Sequence, residues 1–156
     1  MRAAAAKHGI NYLLLRSIAE QESNFNPAAV GGNTNGSQDF GLMQINSTWL
    51  PTLKRYGVTQ QALFNPCISA DVGAWILADN FNRLGITWDA VGAYNAISPW
   101  KRVKYATGVY NKLVKYSNAG AVGNLRRSNE VAVVSQQSAA EVDDANRQMS
   151  SWEAQQ

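Results

Sequence analysis

The sequence predicts a mainly α protein carrying one small β-hairpin, an α+β chain, on three observations. Two long segments, "GINYLLLRSIAEQES" and "NPCISADVGAWILADNFNRLG", repeat apolar residues at helical spacing. The stretch 30–46 between them switches to Gly, Asn and Ser, with Asn35-Gly36 as a hairpin signal. The 156 residues are 46% hydrophobic and 16% charged, enough apolar matter for a single core.

The first clear helix is expected from about Asn11 to Ser23. Leu15, Ile18 and Glu22 fall at i, i+3 and i+7 on one stripe, with Leu14 and Ala19 flanking it. Glu20 lies two residues from Glu22, toward the other face, and reads as a solvated charge. Pro27 is expected to stop the helix. A hairpin turning at Asn35-Gly36 returns through Phe40 to Ile45. Ser47 reads as the N-cap of a helix through "TWLPTLKRYG", closed by Gly57. Asn65 and Pro66 open the clearest helix, which Gly85 stops, and Ile68, Val72, Trp75, Ile76 and Leu84 are its core candidates. Thr87 starts another helix, "TWDAVGAYNA", and Ser98-Pro99 opens the last, through Tyr116. Composition then shifts: "SNAGAVGNLRRSN" reads as a linker, and the remainder as disorder or a partner-docking helix. The expected division is a domain over 1–116 and a tail over 117–156.

The net charge of +3 is uneven. Residues 1–116 hold 11 Lys+Arg against 6 Asp+Glu, and residues 117–156 hold 3 against 5. A mildly basic domain suits an anionic polymer or surface, but scattered cations give nucleic acid little support. No run of 18 apolar residues exists to span a membrane, and "MRAAAAKHG" lacks the apolar core of a leader. The lone Cys67 reads as a small buried hydrophobe or as half of a disulfide, and the lone His8 as a surface or helix-end residue rather than a ligand. No Cys/His cluster offers a metal site, and no cofactor is expected.

Glu22 on an apolar stripe is the first chemical signal. Desolvation disfavours a carboxylate and raises its pKa, and a Glu that keeps its proton near neutrality can act as a general acid. Cleavage of a glycosidic bond needs such a group, because the leaving oxygen must be protonated. Position alone equally suits an acid salt-bridged at a helix end.

Three ordered motifs go further. "ES" followed by "FNP" (Glu22 to Pro27), "GLMQIN" (Gly41 to Asn46) and "AYNA" (Ala93 to Ala96) resemble the soluble-type lytic transglycosylases, whose fold is lysozyme-like. More narrowly the chain is similar to the small members that accompany conjugation, type III secretion and type IV pilus systems. The resemblance covers roughly residues 5–116. It implies that Glu22 is the acid and base and that Ser23 orients it. Met43 and Gln44 would line the sugar groove, Tyr94 and Asn95 would face the acid, and Tyr110 would be a further groove tyrosine. The third motif ordinarily continues with Gly, where this chain has Ile97, so the loop after Asn95 is expected to differ in shape. A second resemblance, to the active-site hairpin of animal C-type lysozymes, runs without a gap from Glu22 to Trp49. It implies a second carboxylate 17 residues after the acid, and Asp39 stands there.

The implied reaction cleaves the β-1,4 bond from N-acetylmuramic acid to N-acetylglucosamine in peptidoglycan, leaving a 1,6-anhydro end. Rival readings are a lysozyme-type hydrolase of the same bond and a module that binds glycan without cutting it. The implied place is the periplasm, with a leader removed or truncated. The implied partners are glycan strands and, through residues 117–156, components of a secretion, conjugation or pilus apparatus.

Overall fold

The computed structural model describes residues 1–123. The described residues form six α-helices and a three-stranded antiparallel sheet in the order β1-β2-β3. Helix α1 spans Arg2–Lys7 and α2 spans Tyr12–Ser23. Strands β1 (Val30–Gly32), β2 (Gln38–Phe40) and β3 (Ile45–Asn46) follow. A 3₁₀ turn at Ser47–Trp49 leads into α3 (Leu50–Lys54), and a second at Gln61–Phe64 precedes α4 (Pro66–Leu84). Helices α5 (Trp88–Gly92) and α6 (Pro99–Gly123) complete the described chain. Among the described residues no helix is long and apolar enough to cross a membrane.

Asn11 caps α2 by accepting from the backbone N–H of Leu13 and Leu14. The helix stops at Asn24, which is left-handed at φ 51, and Phe25 follows at φ 65. The stop thus comes from Asn24, three residues ahead of the expected Pro27. The apolar stripe of α2 (Leu15, Ile18, Ala19) is buried with Met43, Leu63, Ala70, Leu77 and Val109 in one core. This core lies directly behind the turn that carries Glu22.

The hairpin forms at Asn35-Gly36 as expected, with Gly32 paired to Gln38 and Gly36 at φ 81. It gains a strand that periodicity misses, because β3 is only two residues long, pairing Asp39 with Asn46 and Phe40 with Ile45. The β2–β3 link is pinned against the helices at Gly41, which has φ 74. A Cβ there would meet the Leu63 carbonyl oxygen at 2.1 Å, so only glycine fits. Ser69 of α4, fully buried, accepts from the backbone N–H of Met43 at 3.1 Å and holds the same link from below.

The cap after the sheet is Asn46, not Ser47. Asn46 accepts from the Thr48 N–H at 3.0 Å, while the Ser47 hydroxyl accepts from the Gln38 N–H at 3.1 Å. Asn65 caps α4 as expected, accepting from Cys67 and Ile68 N–H groups, with Pro66 in its first turn. Val72 and Ile76 are buried and Trp75 and Ile68 are half-buried, but Leu84, in the last turn of α4, is exposed. Cys67 is exposed too, because the first turn of α4 projects beyond the core; the buried reading of this thiol does not hold. His8 ends α1 and meets Asp71 of α4, Nε2 to Oδ1 at 2.9 Å, beside Lys7 to the same carboxylate at 2.7 Å. Helix α6 continues past Tyr116 to Gly123, so 117–123 is helical. The rest of the expected tail lies outside the described residues.

Candidate active site

The last turn of α2 delivers Glu22 to the edge of the core, facing the sheet. Its Oε1 accepts from the Tyr105 hydroxyl of α6. Burial pushes the Glu22 carboxyl from 4.5 up to about 7, opposed by the Tyr105 hydrogen bond and reinforced by the negative charge of Asp39. Near pH 7 the group is therefore divided between its acid and base forms. That suits both directions of proton transfer in one catalytic cycle.

Asp39 sits in the middle strand of the sheet, between Gly31 on β1 and Asn46 on β3. Its carboxylate accepts from Asn33 Nδ2 at 2.7 Å and from Asn46 Nδ2 at 2.8 Å. Neither donor is a cation, so the oxygens are oriented without being neutralised. Gly31, opposite Asp39, has no side chain to cover it: a Cβ there would come within 2.9 Å of Gln44 Oε1 and 3.6 Å of Asp39 Oδ2. Glycine at this point keeps the second carboxylate open from the β1 side.

Tyr94, just after α5, lies within the field of both acids. Its hydroxyl donates to the Met43 carbonyl at 3.0 Å. Burial, then the charges of Glu22 and Asp39, hold its phenol well above the ordinary tyrosine range. Tyr105 is held well above that range by burial and by Glu22. Both rings are neutral donors lining a site with two carboxylates.

The other expected residues divide into those at the site and those behind it. Gln44, at φ 45, donates from Nε2 to the carbonyls of Gly41 (2.9 Å) and Ala29 (3.2 Å), which leaves Oε1 toward Gly31 and the Asp39 side of the sheet. Asn95 is exposed immediately beyond Tyr94. Ser23 does not touch the acid: its hydroxyl donates to the Leu42 carbonyl at 2.7 Å, tying α2 to the β2–β3 link. Met43 lines no groove, since its side chain is fully buried. It is seated on α4 at Gly73, where a Cβ would meet Met43 Cε at 2.8 Å and the Tyr94 hydroxyl at 2.9 Å. Its part in the site is the carbonyl that positions Tyr94. Tyr110 packs edge-on against Trp88, centroids 5.5 Å apart, on a different side of α6 from Tyr105.

Sequence reasoning missed Tyr105, Asn33 and Asn46. Tyr105 had a signal, for Tyr105, Ala106 and Val109 form an i, i+1, i+4 buried stripe on α6. A hydroxyl inside such a stripe needs a partner, and Glu22 is that partner.

A Glu whose carboxyl is raised to about 7, a second carboxylate held in a polar hairpin and two neutral tyrosines make an arrangement that can serve acid-catalysed cleavage of a glycan. The family model described as the transglycosylase SLT domain matches residues 1–118, and the chain belongs to this family: it is a peptidoglycan lytic transglycosylase. It is 46% identical over 113 residues to the invasion protein IagB of Salmonella typhi, covering 69% of this chain and 71% of that one. It is 39% identical over 128 residues to the protein IpgF of Shigella flexneri, covering 79% and 84%. Among solved structures it superposes on an inactive mutant of the lytic transglycosylase Slt from Pseudomonas aeruginosa with a TM-score of 0.61 at 21% identity. That match covers 75% of this chain and 23% of the longer enzyme, and it establishes the lysozyme-like fold expected from the motifs.

Proposed function

We propose that this lytic transglycosylase cuts the β-1,4 bond between N-acetylmuramic acid and N-acetylglucosamine and leaves a 1,6-anhydro end. The observation that carries the reading is the Glu22 carboxyl raised to about 7 by burial, with no cation paired to it among the described residues. Glu22 gives its proton to the glycosidic oxygen as the bond to the anomeric carbon breaks. The muramic acid's own C6 hydroxyl then attacks that carbon, and the Glu22 carboxylate takes the hydroxyl proton. The acid is thereby regenerated and no water is consumed. Asp39, oriented by Asn33 and Asn46, faces the positive charge that develops at the anomeric carbon. Gln44 and Asn95 contact the sugars.

Asp39 also favours a second reading, hydrolysis by a water it assists, as its lysozyme-like position implies. Mass spectrometry of muropeptides released from purified peptidoglycan separates the two: anhydro products are lighter by one water. Anhydro ends with the wild type and none with Glu22→Gln are expected; reducing ends alone overturn the transglycosylase reading.

The work of such an enzyme is local opening of the wall for an apparatus that crosses it. A relative named an invasion protein supports this role, and the substrate puts the enzyme in the periplasm. Residues 117–156 are proposed to hold it at that secretion, conjugation or pilus machine. Pull-down of apparatus components by the full chain, lost when 117–156 are removed, is the expected outcome.

A further inference from the structure

Tyr105, the donor to Glu22, is bracketed on α6 by two close approaches to other helices. Three residues before it, α6 meets α5 at Gly92, the buried last residue of α5. A Cβ on Gly92 would lie 2.5 Å from the Arg102 carbonyl oxygen, 2.5 Å from Arg102 Cβ and 2.7 Å from Arg102 Cα. These atoms belong to the α6 backbone or its first side-chain carbon, so they cannot turn aside. Three residues after Tyr105, α6 meets α2 at Gly108. A Cβ there would lie 3.0 Å from Gln21 Oε1 and 3.2 Å from its Cδ and Nε2. Gln21 is the residue before Glu22.

Local conformation gives no reason for either glycine. Both lie in α-helices without a positive φ, where alanine would be the more favourable residue. What each supplies is room. At Gly92 the contact is clamped from both sides: Arg102 pairs through NH1 with Asp89 of α5 at 2.8 Å and donates from Nε to the Ala96 carbonyl at 3.0 Å. The Gly92 carbonyl accepts from the N–H groups of Asn95 and Ala96, both at 3.1 Å, and so starts the turn that carries Tyr94. Tyr105, Ala106 and Val109 are buried between these contacts, in a packed interior that passes a displacement on and does not absorb it. A hydrogen bond is lost within a small displacement, because it weakens steeply with distance and angle.

We propose that Gly92 and Gly108 are positioning residues for the acid: by letting α6 close on α5 and on α2, they hold the Tyr105 hydroxyl against Glu22. This role rests on the reading of Glu22 as the acid. The titratable groups around Glu22 are Tyr105 of α6, Asp39 of β2 and Tyr94 after α5, and none is a cation. Only Tyr105 is carried by α6. Displacing that helix therefore weakens the one hydrogen bond that favours the charged acid and leaves Asp39 in place.

The test uses the full chain and follows the Glu22 carboxyl carbon by NMR through a pH titration, its signal assigned by its absence from Glu22→Gln. A pH–rate profile on purified peptidoglycan accompanies each titration. The variants are Gly92→Ala, Gly108→Leu, Tyr105→Phe, and each glycine variant combined with Tyr105→Phe. Leucine keeps the helix propensity of α6 and is too large for the gap at Gln21. Each glycine variant is expected to raise the Glu22 midpoint by about half a pH unit or more, in the direction of Tyr105→Phe. In the Tyr105→Phe background neither is expected to move it further, since all three act through one hydrogen bond. A folded glycine variant whose midpoint is unmoved or lowered overturns the proposal, and so does a shift that adds in full to that of Tyr105→Phe. Where Gly92→Ala or Gly108→Leu does not fold, Gly108→Ala decides, because its methyl asks least of Gln21: a smaller rise supports the role and no rise overturns it. Failure of the acid reading is separately visible, as Glu22→Gln then cuts peptidoglycan like the wild type while the NMR midpoints still report on the glycines.

Discussion

Helix α2 carries two carboxylates two residues apart, and each accepts a hydrogen bond from a tyrosine of α6. Glu22 takes the hydroxyl of Tyr105 and Glu20 that of Tyr116. The surroundings differ. Around Glu20, Lys115 lies 3.8 Å from Oε1, and the Arg16 guanidinium covers the Tyr116 ring at 4.0 Å. Around Glu22 there is buried apolar matter and a second acid, and its carboxyl rises to about 7. A tyrosine donor is thus no signature of a catalytic acid. What separates the pair is desolvation without a compensating cation, the condition that makes a proton available near neutral pH.

The largest expected effect breaks the comparison at its centre. Glu22→Gln keeps the acceptor for Tyr105 but removes the transferable proton, and turnover of purified peptidoglycan is expected to fall by about 10²–10⁴-fold. Glu20→Gln, in the same assay, is expected to stay within about threefold of the wild type. Comparable losses in both variants would mean that the two pairs act through packing of α2 on α6, not through chemistry.

The same asymmetry has a cost in stability. In the unfolded chain the Glu22 carboxyl titrates near 4.5, and in the fold near 7. The folded state holds the proton more tightly, so its advantage is complete below 4.5 and is lost as pH rises through 7. The shift corresponds to about 3 kcal/mol. Glu22→Gln is therefore expected to be more stable than the wild type at pH 8, by up to about that amount, and nearly equal to it at pH 4. Denaturant titrations at the two pH values measure this. A stabilisation that does not change with pH would show that the buried charge is not its source.

How much of this could be read from the sequence follows the range of the interactions involved. Glu22 was legible because its stripe with Leu15 and Ile18 is local, and the Asn35-Gly36 turn and the Asn65 cap were legible for the same reason. Tyr105 was not, because the Glu22–Tyr105 contact joins residues 83 apart. Glu20 reads as solvated from α2 alone; only the extension of α6 alongside brings Tyr116 and Lys115 over it. Met43 was assigned to the groove by its motif, and the motif holds for a different reason: the side chain fills the notch at Gly73 while its carbonyl positions Tyr94. Ser47 and Asn46 are both good caps by type, and the choice fell to Asn46 because its amide also holds Asp39 across the ladder.

The smallest expected effects test the sign of each influence on Glu22. Its hydrogen bond from Tyr105 lowers the pKa and the charge of Asp39 raises it. The proposed reaction begins with protonated Glu22, so it predicts that activity falls as pH rises through the Glu22 pKa. Tyr105→Phe is expected to move that alkaline limb to higher pH, and Asp39→Asn to move it to lower pH. Tyr116→Phe and Tyr110→Phe are expected to leave the limb in place, since neither hydroxyl reaches Glu22 among the described contacts. Lys115→Ala removes a 3.8 Å pair to Glu20 in which only the lysine is well exposed, and it is expected to leave the limb in place too. A pH–rate profile of each variant on one substrate gives the order. If Tyr105→Phe and Asp39→Asn shift the limb in the same direction, the two groups act on Glu22 through a common change in its burial, not through the opposed hydrogen bond and charge. The contrast between the two carboxylates of α2 then reduces to depth alone.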